Sequence, residues 1–537
     1  MRLRISYFNP SVLGKDITRF APVWALYAVG MLLITQRGII NNTADGIAVE
    51  LAMTVGLFGV INLFYALVNA ALLFGDLFNA RLCNALHAMP MRREGWFFTH
   101  LAAALLFSIV PNLVTGLCMV PALGHDWRTA LLWVGGMTLS YLFFLGAAIL
   151  SAFCTGNRFG MALVYGILNF LSVVAYWFLT GVYEDALYGI TIDIDPFLFL
   201  CPVYYLTGRE HDFLSIQDGA WRYLAVISVI GIGMMGVAVL LYRRRKLECA
   251  GDLISVRPMR PVFIILYTLI AGVVFYAFGS LFSVRGKDDV FLAVGIVLGF
   301  LTGQMLLRRT VRVFHFRTFA GLAAVAVVIF GSLWLTRIDV LGITRWIPES
   351  PEEVRSVSIY LDRADNGVYT TEDPGEIADL VRIHEEFLSQ RGEGPVYWFS
   401  KVHLEYEMQD GRTVKRAYTP EGNNYPALEA YFSKPEVVLE CTDPIAFAGQ
   451  VNSVSFHCAD VSFYGEDARS LMKAVLADCE AGTMSQNLRM EDAPEAEYLE
   501  IDITSHAYRF LTVWEDCTNT IAWMEAHNVP TLSDTDE

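Results

Sequence analysis

Cys83 and His87 stand four residues apart, a spacing that puts a thiolate and an imidazole on one helix face, as a zinc site requires. Two ligands without a third are only half of such a site. His384-Glu385-Glu386 opens like the zinc-protease helix H-E-x-x-H, but Leu388 stands where the second histidine has to be. The Gly-Lys pairs Gly14-Lys15-Asp16 and Gly286-Lys287-Asp288 lack the hydroxyl that a phosphate loop offers to magnesium. The chain is therefore no P-loop ATPase by itself. Serines and histidines are too scattered to argue a nucleophile and its base. No catalytic motif, metal site or cofactor site emerges. The cluster Tyr397-Trp398-Phe399 can either stack on a ligand or pack in a strand. Cys441, Cys458, Cys479 and Cys517 can form two disulfides or stay as packed thiols, and their spacing does not choose.

The stretch most able to act on another molecule is Phe74–His100. Phe78, Leu82, Leu86 and Met89 form an apolar stripe at helical spacing, with Arg81 beside it and Asn84 off it. Pro90 ends that helix, since proline lacks the N–H and clashes with the preceding turn. Arg92 and Arg93 follow, and a new apolar run begins at Trp96. A rigid amphipathic element between two spans suits either a plain interfacial connector or a surface for a motor to push on.

The elements around it are membrane spans. The chain is 55% apolar and has a mean hydropathy of +0.43, too apolar for a soluble multidomain protein. Apolar runs near the roughly 20 residues that a hydrocarbon core demands occur at 20–36, 50–74, 96–120, 129–152, 159–179, 223–242, 262–282, 290–306 and 319–335. Nine spans are expected. Their interiors hold no Asp, Glu, Lys or Arg, which argues against proton-coupled carriers, redox pumps and voltage sensors. Asn62, Asn69, His100, Asn112 and Asn169 are expected to form hydrogen bonds between helices.

Arginines and lysines collect before span one and in the loops after spans two, six and eight, while the connection 181–222 is acidic. By the positive-inside rule the N-terminus, read as retained, lies in the cytoplasm and the C-terminal region outside. Within 181–222, Pro196–Leu206 is too short to span and carries Pro196 and Pro202, so it is expected as a re-entrant or surface helix at the outer mouth. Charge divides the same way. From Trp346 to the end there are 13 basic and 37 acidic residues, a net −24, and the remainder carries +8. Cationic loops beside spans account for that excess without nucleic acid.

Beyond Arg345 the pattern becomes that of an α+β domain. Strands are expected at 353–361, 451–457, 498–503 and 508–513, and helices at 374–389, 424–432 and 466–478. Asp410-Gly411 signals a hairpin joining 396–408 to 413–418.

Leu86-His87-Ala88-Met89-Pro90-Met91-Arg92-Arg93, set between two spans, resembles the cytoplasmic loop of bacterial ABC-2 type transporter permeases. Tyr7-Phe8-Asn9-Pro10 before span one, and Pro202-Val203-Tyr204-Tyr205-Leu206 between spans five and six, are similar to that family too. The resemblance covers about residues 1–245. It implies a permease subunit of an ATP-driven exporter in the bacterial plasma membrane, paired with a second permease copy or a homologous permease in the lipid bilayer. Separate P-loop ATPase subunits would carry ATP and Mg. It implies a coupling contact over Leu77–Arg93, that is Leu77, Phe78, Arg81, Leu82, Leu86, Met89, Arg92 and Arg93, and an outer-mouth element with Pro196, Pro202, Tyr204 and Tyr205. The region after Arg345 resembles an uncharacterised domain attached to some of these permeases, through Val354–Tyr360, the helix carrying His384, and Tyr406, Asp410-Gly411-Arg412 and Arg416-Ala417-Tyr418. Four parts follow: an interfacial segment 1–17, a six-helix core 18–245, three added spans in 246–344, and an extracytoplasmic α+β domain 345–537. The expected cargo is amphipathic or peptide-like. An envelope sensor or scaffold, whose outer domain binds a peptide or cell-wall fragment, is the alternative.

Overall fold

The computed structural model describes residues 8–529, apart from 42–43, 89–90, 122, 124–125, 184–185, 193, 209–218, 246–248, 282–287, 341, 349, 362–367, 391–400, 420–424, 443–450, 452, 457–460, 487–496 and 505–506. Tyr7, Met89, Pro90, Lys287, the cluster Tyr397–Phe399, Cys458 and most acids of the 181–222 connection lie outside the described residues, as do the side chains of Leu86, His87 and Cys441. The chain forms two units, 1–184 with 193–333, and 185–192 with 334–537.

The first unit is helical. Asn9 caps α1 (Pro10–Arg19) by accepting from the Ser11 and Val12 amides, and Pro10 fits the first turn, where its missing N–H costs nothing. The helix turns by 61° into α2 (Ala21–Asn41). Then come α3 (Ala44–Leu73), α4 (Ala80–His87), α5 (Arg93–Met119), α6 (Trp127–Cys154), α7 (Arg158–Trp177), the short α8 (Asp195–Leu200) and α9 (Pro202–Gly208), α10 (Gly219–Arg244), α11 (Met259–Ser280), α12 (Asp288–Arg308) and α13 (Phe316–Arg337).

Among the described residues, seven helices are long and apolar enough to cross a membrane, or eight if the bent pair α1–α2 is one span. Of the nine expected runs, seven are crossing helices, the first lies in that bent pair, and the run 50–74 falls in the 30-residue α3. Outward-facing Leu26, Val229, Val327 and Val328 are exposed, the reverse of a soluble surface. No hydrophobic force pulls helices together in lipid, so close backbone approach matters. At the α6–α10 crossing a Cβ on Gly146 would lie 2.2 Å from the Gly231 carbonyl oxygen, so only glycine fits.

Buried polar groups join the helices as expected for three of the five residues. Tyr27 Oη donates to Asn62 Oδ1 or Asn112 Oδ1, each 3.1 Å away. Asn62 Nδ2 donates to Ser140 Oγ at 2.8 Å, and Asn69 Nδ2 to Tyr141 Oη at 2.9 Å. His100 Nδ1 lies 2.7 Å from Asp16 Oδ2, a buried contact between α5 and α1. Asn169 bonds within its own helix, to the Tyr165 carbonyl.

The second unit has two five-stranded antiparallel sheets. β1 (Gly189–Ile190) joins β2 (Val354–Leu361), β3 (Tyr369–Thr371), β4 (Val402–Met408) and β5 (Thr413–Tyr418) in the order β1-β5-β4-β2-β3. β6 (Ser453–Phe456), β7 (Val461–Tyr464), β8 (Ser485–Gln486), β9 (Glu497–Thr504) and β10 (Ala507–Val513) follow the order β8-β10-β9-β6-β7. The two orders match strand for strand, and every pairing is antiparallel. α14 (Pro374–Ser389) separates β3 from β4, and α15 (Pro426–Phe432) follows β5. α17 (Gly465–Ala481) separates β7 from β9, and α18 (Thr518–Ala526) follows β10. The region is thus two copies of one fold, each with its own core. Between them, α16 (Pro435–Thr442) puts Val437 into the first core and Val438 into the second.

Candidate functional site

The Phe74–His100 stretch starts from a buried anchor. Gly75–Phe78 is a single 3-10 turn in which Leu77 is only 1% exposed. Asn79 then adopts an extended conformation (φ −113°, ψ 117°) and its side chain accepts from the Arg81 amide, starting α4. That break shifts the helical phase, so the expected stripe is not one continuous face. The inward residues are Leu77 and Cys83, while Leu82 is 47% exposed and Arg81 is exposed. Cys83 is buried, and the His87 side chain that would share a metal with it lies outside the described residues. Burial raises its thiol pKa, against the opposing pull of Arg245 and Arg93.

The arginines of this end hold helix termini. Arg93 donates to the carbonyls of Tyr242 (3.2 Å) and Arg245 (3.0 Å), and its guanidinium lies 5.8 Å from the Tyr242 ring centre. These carbonyls lie at the C-terminal end of α10, where intrahelical donors run out and where the Tyr242 carbonyl also takes the Arg245 amide at 3.2 Å. Arg245 does the same for α6, donating to Ala152 (3.0 Å) and Phe153 (3.3 Å), and also reaches the Leu77 carbonyl at 3.4 Å. Glu94 pairs with Arg243 at 3.0 Å. The stem of α4 is thereby tied to α6 and α10 through one side chain. Arg93, expected at the coupling contact, is half-buried and bound to α10, whereas Arg92 is exposed.

Beside α4 runs a groove of about 400 Å³. Phe20, Leu72, Phe78 and Leu82 give it an apolar lining, and Arg19, Arg158, Asp76, Asn79 and Asn157 give it a polar one. Arg19 folds over the Phe20 ring at 5.2 Å. Phe78 and Leu82 thus do face a common space, although the stripe between them is broken.

Of the expected outer-mouth element, Pro196 sits in the first turn of α8 and Pro202 starts α9, with buried Cys201 extended between them (φ −112°, ψ 97°). Two short helices replace the single one. Tyr205 stacks on Tyr223 of α10 at 3.8 Å, Tyr204 is exposed, and Leu206 packs against Gly59 of α3.

In the second unit, His384 sits fully buried between two tyrosines. Its Nδ1 is 3.0 Å from Tyr406 Oη and its Nε2 is 2.6 Å from Tyr418 Oη. Burial, helped by Arg416, lowers its pKa to about 3. A neutral imidazole with both nitrogens engaged is a core group, not a ligand. Arg416 donates to the Ile343 carbonyl at 2.9 Å and covers the Trp346 ring at 5.4 Å. Asp478, buried at the end of α17, takes the Thr520 amide at 2.7 Å, the Thr520 hydroxyl at 2.6 Å and both nitrogens of Asn519, and so caps α18. Cys479 and Cys517 are buried free thiols, pushed up by burial to about 12 and about 11.

Sequence reasoning missed the Asp16–His100 contact, the reach of Arg245, and the strand β1. Arg245 is hidden in the run Arg243-Arg244-Arg245-Lys246, which reads as loop charge. No family model, curated protein or solved structure matches this chain.

Proposed function

We propose that this chain is the membrane-spanning permease subunit of an ATP-driven exporter of the ABC-2 type, moving an amphipathic or peptide-like cargo. The observation that carries this reading is α4: a short helix with exposed Arg81 and Leu82, standing on a buried stem that Arg245 ties to α6 and α10. A push on such a helix reaches the crossing helices with little loss, because the stem cannot move alone. A separate P-loop ATPase, carrying ATP and Mg, docks there. Its closure shifts α4, and with it the ends of α6 and α10. Spans without internal charge suit a path driven by rigid-body motion and not by protons. In this reading the chain crosses nine times, pairs with a second permease, has its N-terminus in the cytoplasm and holds its C-terminal region outside the plasma membrane.

The test is affinity capture of the full chain from native membranes, followed by ATPase assay in lipid. A P-loop ATPase should be recovered in near-equal amount, and Arg81→Glu with Leu82→Asp should abolish its recovery while the chain stays folded. Recovery of no ATPase, or equal recovery with the double variant, would sink the proposal.

The alternative, an envelope sensor or scaffold, draws on one observation: a strand from the α7–α8 connection belongs to the sheet of the C-terminal region. Recovery of a kinase or wall enzyme without an ATPase would favour it.

A further inference from the structure

The edge of β5 is occupied by a piece of chain from far away in sequence. β1 pairs antiparallel with it, Gly189 opposite Ala417 and Ile190 opposite Arg416. In the second half of the region the matching edge, that of β10, is covered by β8, Thr512 opposite Ser485 and Leu511 opposite Gln486. β8 lies within its own half, between α17 and β9. The same fold therefore takes a fifth strand at the same place twice, once from inside and once from the connection between α7 and α8.

The contact is selective. Gly189 has φ +75°, a left-handed conformation, and a Cβ there would lie 2.3–2.5 Å from atoms of the Tyr418 ring. That ring has no room to yield. Its hydroxyl is held by His384 Nε2 at 2.6 Å, and its face stacks on Phe387 at 5.0 Å. One residue earlier, Tyr188 lies 5.2 Å from the Tyr418 ring centre and its hydroxyl donates to the Phe387 carbonyl at 3.1 Å. The strand is also short. The backbone ladder is two residue pairs long, and Tyr188 adds the ring contact and hydrogen bond just described, the length at which strand addition can bind an extended peptide.

We propose that the β5 edge is a strand-addition site for an extended peptide of the pattern aromatic–Gly–aliphatic. The chain's own Tyr188-Gly189-Ile190 fills it, and this internal ligand exchanges with the same peptide supplied in trans. The aromatic residue reads the Phe387 carbonyl, and glycine alone fits over Tyr418. The internal ligand is covalently continuous with α7 on one side and α8 on the other, so its release frees that connection. The inference stands whether or not the exporter reading does.

The test is hydrogen exchange on the full chain in lipid nanodiscs, followed over β5 and β4. In Gly189→Val, exchange at the β5 edge should rise about tenfold or more while β4 stays protected. Added peptide 185–192, of sequence DALYGITI, should restore the protection, and the same peptide with valine for its glycine should not. If Gly189→Val also deprotects β4, Tyr188→Ala replaces it, with the same expected result. Unchanged β5 exchange in these variants, or peptide that restores nothing, would overturn the proposal.

Discussion

The helical bundle and the C-terminal region both bury polar side chains, and they close themselves in different ways. In the bundle, Tyr27, Asn62, Asn112 and Ser140 link four helices by hydrogen bonds, and Arg93 and Arg245 finish the ends of α10 and α6. Other buried polar atoms, those of Trp96, Thr115 and Thr268 among them, have no hydrogen-bond partner among the described residues, and α4 stays on the surface with Arg81 and Leu82 uncovered. In the C-terminal region, His384 and Asp478 serve as internal joints, and the unfinished part is a sheet edge completed by β1. The difference is instructive. A bundle that leaves one short helix exposed offers, in the reading proposed above, the surface on which an outside partner acts. A sheet whose missing strand comes from the same chain answers to that chain first.

Substitutions at the internal joints of the C-terminal region should cost most. Asp478→Ala leaves the donors of Asn519 and Thr520 without their carboxylate. It should destabilise the second half by about 3 kcal/mol, read as faster exchange across α17 and α18 with α14 unchanged. A pH scan separates the halves in the opposite sense. The His384 pKa falls from 6.5 to about 3 on folding. Between those values the unfolded chain binds a proton that the folded one refuses, so the stability is fully present above about pH 6.5 and is lost as pH falls toward 3. Exchange of α14 should accelerate across that window, and His384→Gln should flatten the dependence.

The bundle should respond less. Arg245→Ala removes donors from two α6 carbonyls and from Leu77, and should cost about 2 kcal/mol, seen as a lower thermal midpoint and faster proteolysis near α4. Tyr27→Phe should cost only about 1 kcal/mol, in line with interhelical hydrogen bonds in lipid, measured by unfolding in mixed micelles. If Tyr27→Phe proved costlier than Asp478→Ala, the contrast between the two regions would be reversed.

Much of this architecture was legible in the residues. The crossing helices followed from long apolar runs, and α14 spans 374–389 as its periodicity indicated. The hairpin at Asp410-Gly411 formed with Gly411 at φ +82°, as the turn chemistry requires. The face of α4 was misread because one extended residue, Asn79, resets the helical phase, and a stripe counted along the chain cannot register that break. Arg93 and Arg245 looked like loop charge because the carbonyls they bind are distant in sequence, Arg93 reaching Tyr242 and Arg245 reaching Ala152. β1 was invisible for a related reason. Two residues hold no periodicity, and their partner lies more than 200 positions away. The duplication of the C-terminal fold also escaped notice, since it lies in the order of strand pairing and not in the residues.

The most direct measurement is photo-crosslinking in native membranes from a reactive amino acid placed at Leu82, with outward-facing Val297 of α12 as the control position. The account expects a P-loop ATPase to be captured from position 82 and not from 297. Capture of no nucleotide-binding protein at 82, or of the same proteins at both positions, would contradict the reading of α4 as the face on which an ATPase acts.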